Sequence, residues 1–301
     1  MSRALSIFHG PFGRASIYDL DRPMTTHAHR EGHLIFHLGG LPGVVPVNAT
    51  RYVCDAGNAV AVNPWEPHAF QQFIPGSNGT YLVLYINPSW YSRTIRSDQP
   101  EGLFFPSPRV PVSAAMATLI DDIRRMMDRN RTTPMFEQAI IDLSYESSMG
   151  TARVLRGNSH DGRQAFSSVD FRVRKSIELL SHLPQSDDPP ELQRDRMGGI
   201  ARAAGISRAH FFKLFRDHTG LTPKLYSNTI QIERALTLLA ETNDPVTHIG
   251  EDLRFSCQST FTRFFTSHVG MAPSAYRSVV RVVGQTVAPE KTMRAAAGMT
   301  V

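Results

Sequence analysis

The chain has 301 residues, enough for about two domains with cores of their own, and its two cysteines, Cys54 and Cys257, form no C-x-x-C pair, which excludes a disulfide scaffold, a zinc ribbon and a dithiol redox motif. No stretch approaches the ~18 apolar residues of a membrane span, and the first residues lack the apolar core of a secretion signal, so a soluble, cytoplasmic protein with no membrane partner is expected. Basic and acidic residues number 15 and 14 over residues 1–164 and 17 and 13 over 165–301, so the positive excess lies in the C-terminal part, where it permits a polyanionic partner without requiring one.

In chain order, residues 15–90 read as short strands. The apolar runs HLIFHL (33–38), GVVPV (43–47), RYVC (51–54), NAVAV (58–62) and TYLVLYI (80–86) are separated by LGGLPG, DAG, NPWEP and PGSNG, the punctuation of tight turns. That spacing suggests a small barrel or sandwich. After Pro111 the period lengthens to about 3.6. Met116, Leu119, Ile120, Ile123, Met126 and Met127 form one helical stripe behind the cap Ser113, and Phe136, Ile140, Ile141, Leu143 and Tyr145 form a second behind Pro134. The polar segment GNSHDGRQ (157–164) reads as a linker, residues 167 to about 283 as consecutive helices, and the last fifteen or so residues as a frayed tail.

The helical part contains a repeat. Phe211, Phe215, Gly220, Pro223 and Tyr226 recur 50 residues later as Phe261, Phe265, Gly270, Pro273 and Tyr276, and Ser207 recurs at an offset of 49 as Ser256. Two copies are too few for a solenoid, so a pair of small modules is the better account. Each has the grammar of a helix-turn-helix. GGIARAA (198–204) is a short helix, Gly205 supplies a left-handed turn residue, Ile206 plugs the core and Ser207 caps a second helix. VTHIGEDL (246–253) leads through Arg254 and Phe255 to Ser256 and a second such helix. A long helix from Pro223, with Ile230, Ile232, Ala235, Leu238 and Leu239 on its apolar stripe, joins the modules.

The segments ARAAGISRAHFFKLFRDHTGLTPKLYSNTIQIERALTLLA and HIGEDLRFSCQSTFTRFFTSHVGMAPSAYR, with their paired F-x-x-x-F-x-x-x-x-G-x-x-P-x-x-Y signature, resemble the AraC/XylS family of bacterial transcription regulators over roughly residues 170–280. The resemblance implies a small-molecule-sensing barrel followed by two DNA-reading modules. One departure is Arg254, where the family has Gly; a non-Gly residue in a left-handed conformation costs on the order of 1 kcal/mol. Helix geometry puts Ser207, Arg208, Ala209, His210, Phe212 and Lys213 at the groove-facing front of the first reading helix, with Arg216 toward phosphate, and Ser256, Gln258, Ser259, Thr262 and Arg263 at the front of the second. Arg and Lys suit guanine O6/N7, and Gln suits adenine N6/N7.

Five of the twelve histidines fall between positions 27 and 68. His27 and His29 alternate on an expected strand, and His68 follows a turn that could bring it across the barrel. The region looks like a cupin barrel, whose metal-binding form has H-x-H followed by Glu and Gly. Here Glu31 comes too early for that Glu, and His33 or Leu34 holds its place. Three readings stay open. An effector pocket without metal would use His27, His29, His33, Trp65, His68, Phe70 and Tyr81, with Tyr85 nearby; a divalent-metal site would use His27, His29, His33 and His68; or the histidines are structural. His37 reads as core, Cys257 as a small packed residue, and no nucleophile, acid/base dyad or phosphate loop is recognisable.

The resulting expectation is an α+β protein: a cupin-like sensing barrel (1–108), a helical pair for dimerisation or connection (109–156), a linker (157–166), an all-α tandem helix-turn-helix domain (167–285) and a tail (286–301). Its function would be sequence-specific, effector-responsive transcription regulation, without a cofactor or catalysis. The partners would be double-stranded DNA, a small molecule, a second copy of the chain and, for an activator, RNA polymerase. The alternatives are a metal-binding cupin, enzyme or metal sensor, fused to a DNA-binding domain, and a constitutive DNA-binding protein.

Overall fold

A computed structural model describes residues 2–48, 50–72, 74, 76–95, 104–129, 134–155, 171–181 and 195–282. The strands are β1 (Arg3–Gly10), β2 (Gly13–Leu20), β3 (Met24–His27), β4 (Gly32–Gly40), β5 (Gly43–Val47), β6 (Thr50–Cys54), β7 (Asn58–Val62), β8 (His68–Gln72), β9 (Gly79–Ile86), β10 (Arg109–Pro111) and β11 (Val280–Val282). The helices are α1 (Pro88–Thr94), α2 (Ala114–Asp128), α3 (Pro134–Leu155), α4 (Phe171–Ser181), α5 (Arg196–Ala203), α6 (Arg208–Thr219), α7 (Pro223–Glu241), α8 (Val246–Asp252), α9 (Gln258–Val269) and α10 (Pro273–Val279). The expected linker and tail lie outside the described residues.

The strands form two sheets, ordered β10-β7-β4-β9-β2-β1-β11 and β3-β8-β5-β6. The expected barrel is therefore an open pair of sheets, and among the described residues no hydrogen-bonded ladder closes them into one. Strand β9 explains the architecture. Its run TYLVLYI is apolar throughout because both faces are buried: Tyr81, Val83 and Tyr85 face the small sheet, while Leu82, Leu84 and Ile86 face α2 and α3. On that second face Leu34 and Phe36 of β4 and Ile17 of β2 meet Met116, Ile120, Ile123 and Met127 of α2 and Phe136, Ile140 and Leu143 of α3. Ser113 caps α2 as expected, accepting from the Met116 amide at 3.2 Å. Tyr145, read as part of the α3 stripe, instead lies exposed.

Strands β1, β2, β8, β10 and β11 match none of the apolar runs, and β3 is marked in the sequence only by the alternation at His27. Strand β11 is a C-terminal segment that adds to the edge of the large sheet, pairing in parallel with β1 through Ile7–Val280, Phe8–Arg281 and His9–Val282. Behind it, one apolar cluster runs without a break from the sheets into the second helix-turn-helix module. It joins Tyr18, Ile35, Val45, Phe70 and Val83 to Ile232, Leu236, Phe261, Phe265, Val269 and Tyr276. The first module has its own core of Val173, Leu180, Ile200, Phe211, Phe215, Leu221 and Ile230.

Because Phe265 is fully buried in the shared cluster, Phe265→Ala is expected to cost about 3–5 kcal/mol. Sheet and helix signals should then unfold together at a lower urea midpoint. Loss of helical signal with the sheet transition unmoved would show that the two parts are energetically separate.

Candidate nucleic-acid interface and histidine pocket

In the first module α5 and α6 meet at Gly205, whose φ of +71° is the left-handed turn conformation. Ser207 then caps α6, accepting from the His210 amide at 3.2 Å. The second module differs by one residue in its turn. Arg254 takes the left-handed position, with φ of +63°, and the residue before α9 is Cys257, which makes no side-chain capping bond. The expected cap Ser256 is thus one residue too early. The 49-residue serine offset reflects this insertion, and Cys257 is the counterpart of Ser207 at the common spacing of 50. Cys257 is exposed rather than packed, and hydrogen bonding with Thr260 at the helix start lowers its thiol pKa.

Both second helices bury their phenylalanines, Phe211 and Phe215 on α6 and Phe261 and Phe265 on α9. Their opposite fronts are open. Ser207, Arg208, Ala209, His210, Lys213 and Arg216 are exposed, as are Ser256, Gln258, Ser259 and Arg263; Phe212 and Thr262 are half-buried. Phe212 packs beside Phe211, with the Arg208 guanidinium 5.7 Å from its ring centre. Arg208 pairs with Asp195 at 3.0 Å and Lys213 with Asp217 at 2.6 Å, exposed pairs that contribute little to stability and are readily exchanged for other anions. Beside the front of α9 the turn at Arg22–Pro23 forms an open groove with Gln258, Ser259, Thr262 and Arg263.

The four histidines His27, His29, His33 and His68 converge in the buried interior of the sheet region. His27 and His68 are cross-strand partners of β3 and β8, His33 lies on β4, and His29 lies just past the end of β3, not on a strand as its alternation with His27 suggests. Ring centroids are 4.4 Å apart for His27–His68, 4.9 Å for His27–His29, 4.5 Å for His29–His33 and 4.6 Å for His33–His68. The Nδ1–H of His27 donates to the Thr25 carbonyl at 2.6 Å and that of His68 to the Glu66 carbonyl at 2.8 Å. Both hydrogen bonds select the tautomer whose Nε2 is an unprotonated acceptor. Burial, then the neighbouring rings, hold His27, His29 and His33 well below the usual histidine pKa, and burial holds His68 at about 4. All four are therefore neutral at pH 7. Nε2 of His33 and His68 and both nitrogens of His29 are buried without a hydrogen-bond partner, each at a cost of about 1–3 kcal/mol.

The cavity beside this cluster is lined by His27, His33, His68, Phe70, Tyr81 and Tyr85 from the sheets and closed by His268 and Val269 of α9. Its free volume is about 30 Å³, room for one or two water molecules, against roughly 300–1,000 Å³ for a pocket holding a drug-sized organic ligand. Trp65, read as a pocket aromatic, does not line it. At a φ of +62° its ring stacks on Tyr226 of α7, with centroids 4.8 Å apart. His37 stands apart from the cluster, its ring against Tyr81.

The pocket thus lies on a seam between the sheets and the helix-turn-helix part. Thr229 donates to the Ala28 carbonyl at 3.0 Å, Thr25 donates to the Ser267 carbonyl at 3.0 Å, and the His9 ring meets the Tyr276 hydroxyl at 2.7 Å. Arg14, buried on β2, lies 3.6 Å over the Tyr85 ring. Sequence reasoning missed Arg14, Glu233 and His268. For His268 a signal existed: it is His218 repeated at the same 50-residue offset, and each Nδ1–H donates to the carbonyl four residues earlier at 2.8 Å. For Arg14 and Glu233 there was none, since their partners are distant in sequence.

A family model described as a helix-turn-helix domain matches residues 200–278. The HTH-type transcriptional regulator Rv1931c of Mycobacterium tuberculosis is 37% identical over 82 residues, which cover 27% of this chain and 32% of that protein. The RCS-specific HTH-type transcriptional activator RclR of Escherichia coli is 33% identical over 82 residues, covering 27% and 29%. The chain spans about a third of the length of the curated relatives it matches. Among solved structures, ToxT from Vibrio cholerae aligns over 90% of this chain and 98% of its own at 12% identity and a TM-score of 0.54. ToxT with bound unsaturated fatty acid aligns over 88% and 94% at 15% identity and a TM-score of 0.52. At that identity the likeness establishes a shared two-part fold.

Glu233 of α7 accepts from the Arg30 amide at 3.0 Å and pairs with its guanidinium at 3.0 Å, yet burial outweighs Arg30 and pushes its carboxyl up to about 7, with Glu31 adding and Arg14 opposing. A carboxyl whose pKa is raised on folding favours the folded state below about pH 4.5, and that contribution, on the order of 3 kcal/mol, is lost as pH rises through 7. The urea midpoint of the protein should therefore fall from pH 5 to pH 8 more steeply than that of Glu233→Gln. Parallel pH profiles would contradict this assignment.

Proposed function

We propose that this chain, whose residues 200–278 match a helix-turn-helix domain model, is a sequence-specific DNA-binding transcription regulator of the AraC/XylS type, controlled by a ligand held on the seam beneath α9. The observation that carries the reading is the paired exposure of equivalent helix fronts, Arg208, His210 and Lys213 on α6 against Gln258, Ser259 and Arg263 on α9, each backed by buried phenylalanines. Two such helices joined by one rigid connector suit consecutive major-groove segments of double-stranded DNA. Arg and Lys at their fronts suit guanine or phosphate, and Gln258 suits adenine.

The ligand half of the proposal is supported by the pocket's position. Its lining joins both sheets to α9, so a molecule bound there has different contacts when the seam is closed and when it is open, which is what a ligand needs in order to shift a population. In this reading the protein works in the cytoplasm without catalysis, as a homodimer, and contacts RNA polymerase where it activates. The fatty acid of the ToxT structure shows that a protein of this fold binds a small molecule.

Replacing both Lys213 and Arg263 by Ala is expected to weaken binding of the full-length protein to its own promoter fragment by at least ~30-fold. The slope of log affinity against log salt should become shallower by about one to two units. Unchanged affinity and slope in the folded double variant would mean that α6 and α9 are not the reading helices.

A further inference from the structure

The histidine cluster has a chemistry of its own. His27, His29 and His68 each offer a ring nitrogen, and these three atoms lie within 4.8 Å of one another. No aspartate, glutamate or cysteine among the described residues joins them. Two of the rings are oriented from outside by backbone carbonyls, through Nδ1–H bonds from His27 to Thr25 and from His68 to Glu66, the arrangement that fixes the tautomer and ring plane of a metal-bound imidazole. His33 packs tilted against His29 and edge-on to His68, its Nε2 buried and without a hydrogen-bond partner, as is that of His68. A core that needed only to be filled would not gather three imidazoles with ring nitrogens within 4.8 Å of one another and a fourth ring packed against them.

We propose that the ligand of this pocket is a divalent transition-metal ion of the zinc, nickel or cobalt class, held by His27, His29 and His68 with His33 beside its fourth position. The proposal deepens the seam-ligand reading and depends on it only for the consequence that metal bears on DNA binding. An all-imidazole set suits borderline ions and is a poor host for calcium or magnesium, which take oxygen ligands. Imidazole nitrogens at about 2.0–2.1 Å from an ion stand roughly 3.4 Å from one another, so binding draws the three rings together by about an ångström through side-chain rotation. Of the three rings, His27 and His68 line the cavity, whose free space is about 30 Å³. His268 of α9 lines the same cavity as His27 and His68, so an ion held by those rings shares the pocket with the end of the proposed second reading helix.

The test uses the full-length protein stripped with chelator and dialysed. Zn²⁺ is titrated in competition with a chromophoric chelator, Co²⁺ binding is followed by its visible absorption, and thermal midpoints are recorded with and without each ion. Expected are one ion per chain, the intense visible bands of four- or five-coordinate nitrogen-ligated Co²⁺, and a raised midpoint. Zinc affinity should fall at least 100-fold in His68→Gln and about 10-fold in His33→Gln. Less than a tenth of an equivalent bound, a Co²⁺ spectrum like that of the hydrated ion, or undiminished affinity in a folded His68→Gln would overturn the proposal. Should His68→Gln fail to fold, the wild-type Co²⁺ spectrum decides alone. An organic metabolite that raises the midpoint where metals do not would overturn the metal and leave the seam-ligand reading standing. DNA binding by the stripped protein, and its loss in the Lys213 and Arg263 double variant, test the regulator reading independently of metal content.

Discussion

The constraint on which the rest of the structure depends is the sharing of one apolar core between the sheets and the second helix-turn-helix module. Phe261 and Phe265 of α9 and Tyr276 of α10 complete a cluster whose other side is Tyr18, Ile35, Phe70 and Val83. Strand β11 then continues the large sheet directly from the end of α10. Separating the two parts would expose these side chains together with the hydrogen bonds of Thr25, Thr229 and His9. Any opening of the seam is therefore expected to break these contacts together, because close-packed interiors resist partial separation.

The signature tyrosines show how closely the parts are fitted. Tyr226 of the first copy stacks on Trp65, which the chain holds at a positive φ, and Tyr276 of the second copy meets His9. Positions that recur for the internal logic of a helix-turn-helix module are thus also the points at which each module touches the sheets. The pocket and the start of the proposed reading front lie at opposite ends of one short helix: His268 and Val269 line the cavity at the end of α9, and Gln258 and Ser259 stand at its start. On the proposed reading, a ligand beside His27 and His68 acts on DNA binding through a rigid element of 12 residues.

The helical half was legible because its cues are local. Caps at Ser113 and Ser207, the left-handed glycines at 205, 220 and 270, and a 3.6-residue stripe are all set by neighbours within one or two turns. The strands were half legible. TYLVLYI and NAVAV stood out as unbroken apolar runs, whereas β1, β2, β3 and β8 mix polar and apolar residues, and β10 and β11 are only three residues long. The histidine cluster could be suspected from H-x-H and His68, and its members do converge, although His29 is held by a loop where a strand was expected. Trp65 was misread because an aromatic between two prolines looks alike from sequence whether it faces a pocket or a partner helix. Ser256 was misread because a one-residue insertion in the turn is invisible when the inserted residue still resembles a cap.

Hydrogen exchange of the full-length protein, with and without saturating Zn²⁺, tests most directly the claim that pocket and reading helix form one coupled unit. The account predicts that the ion slows amide exchange in β3, β4 and β8 and also along α9, residues 258–269, because the proposed site shares its cavity with His268 at the end of that helix. Protection confined to the three strands, with α9 exchanging at its metal-free rate, would contradict it.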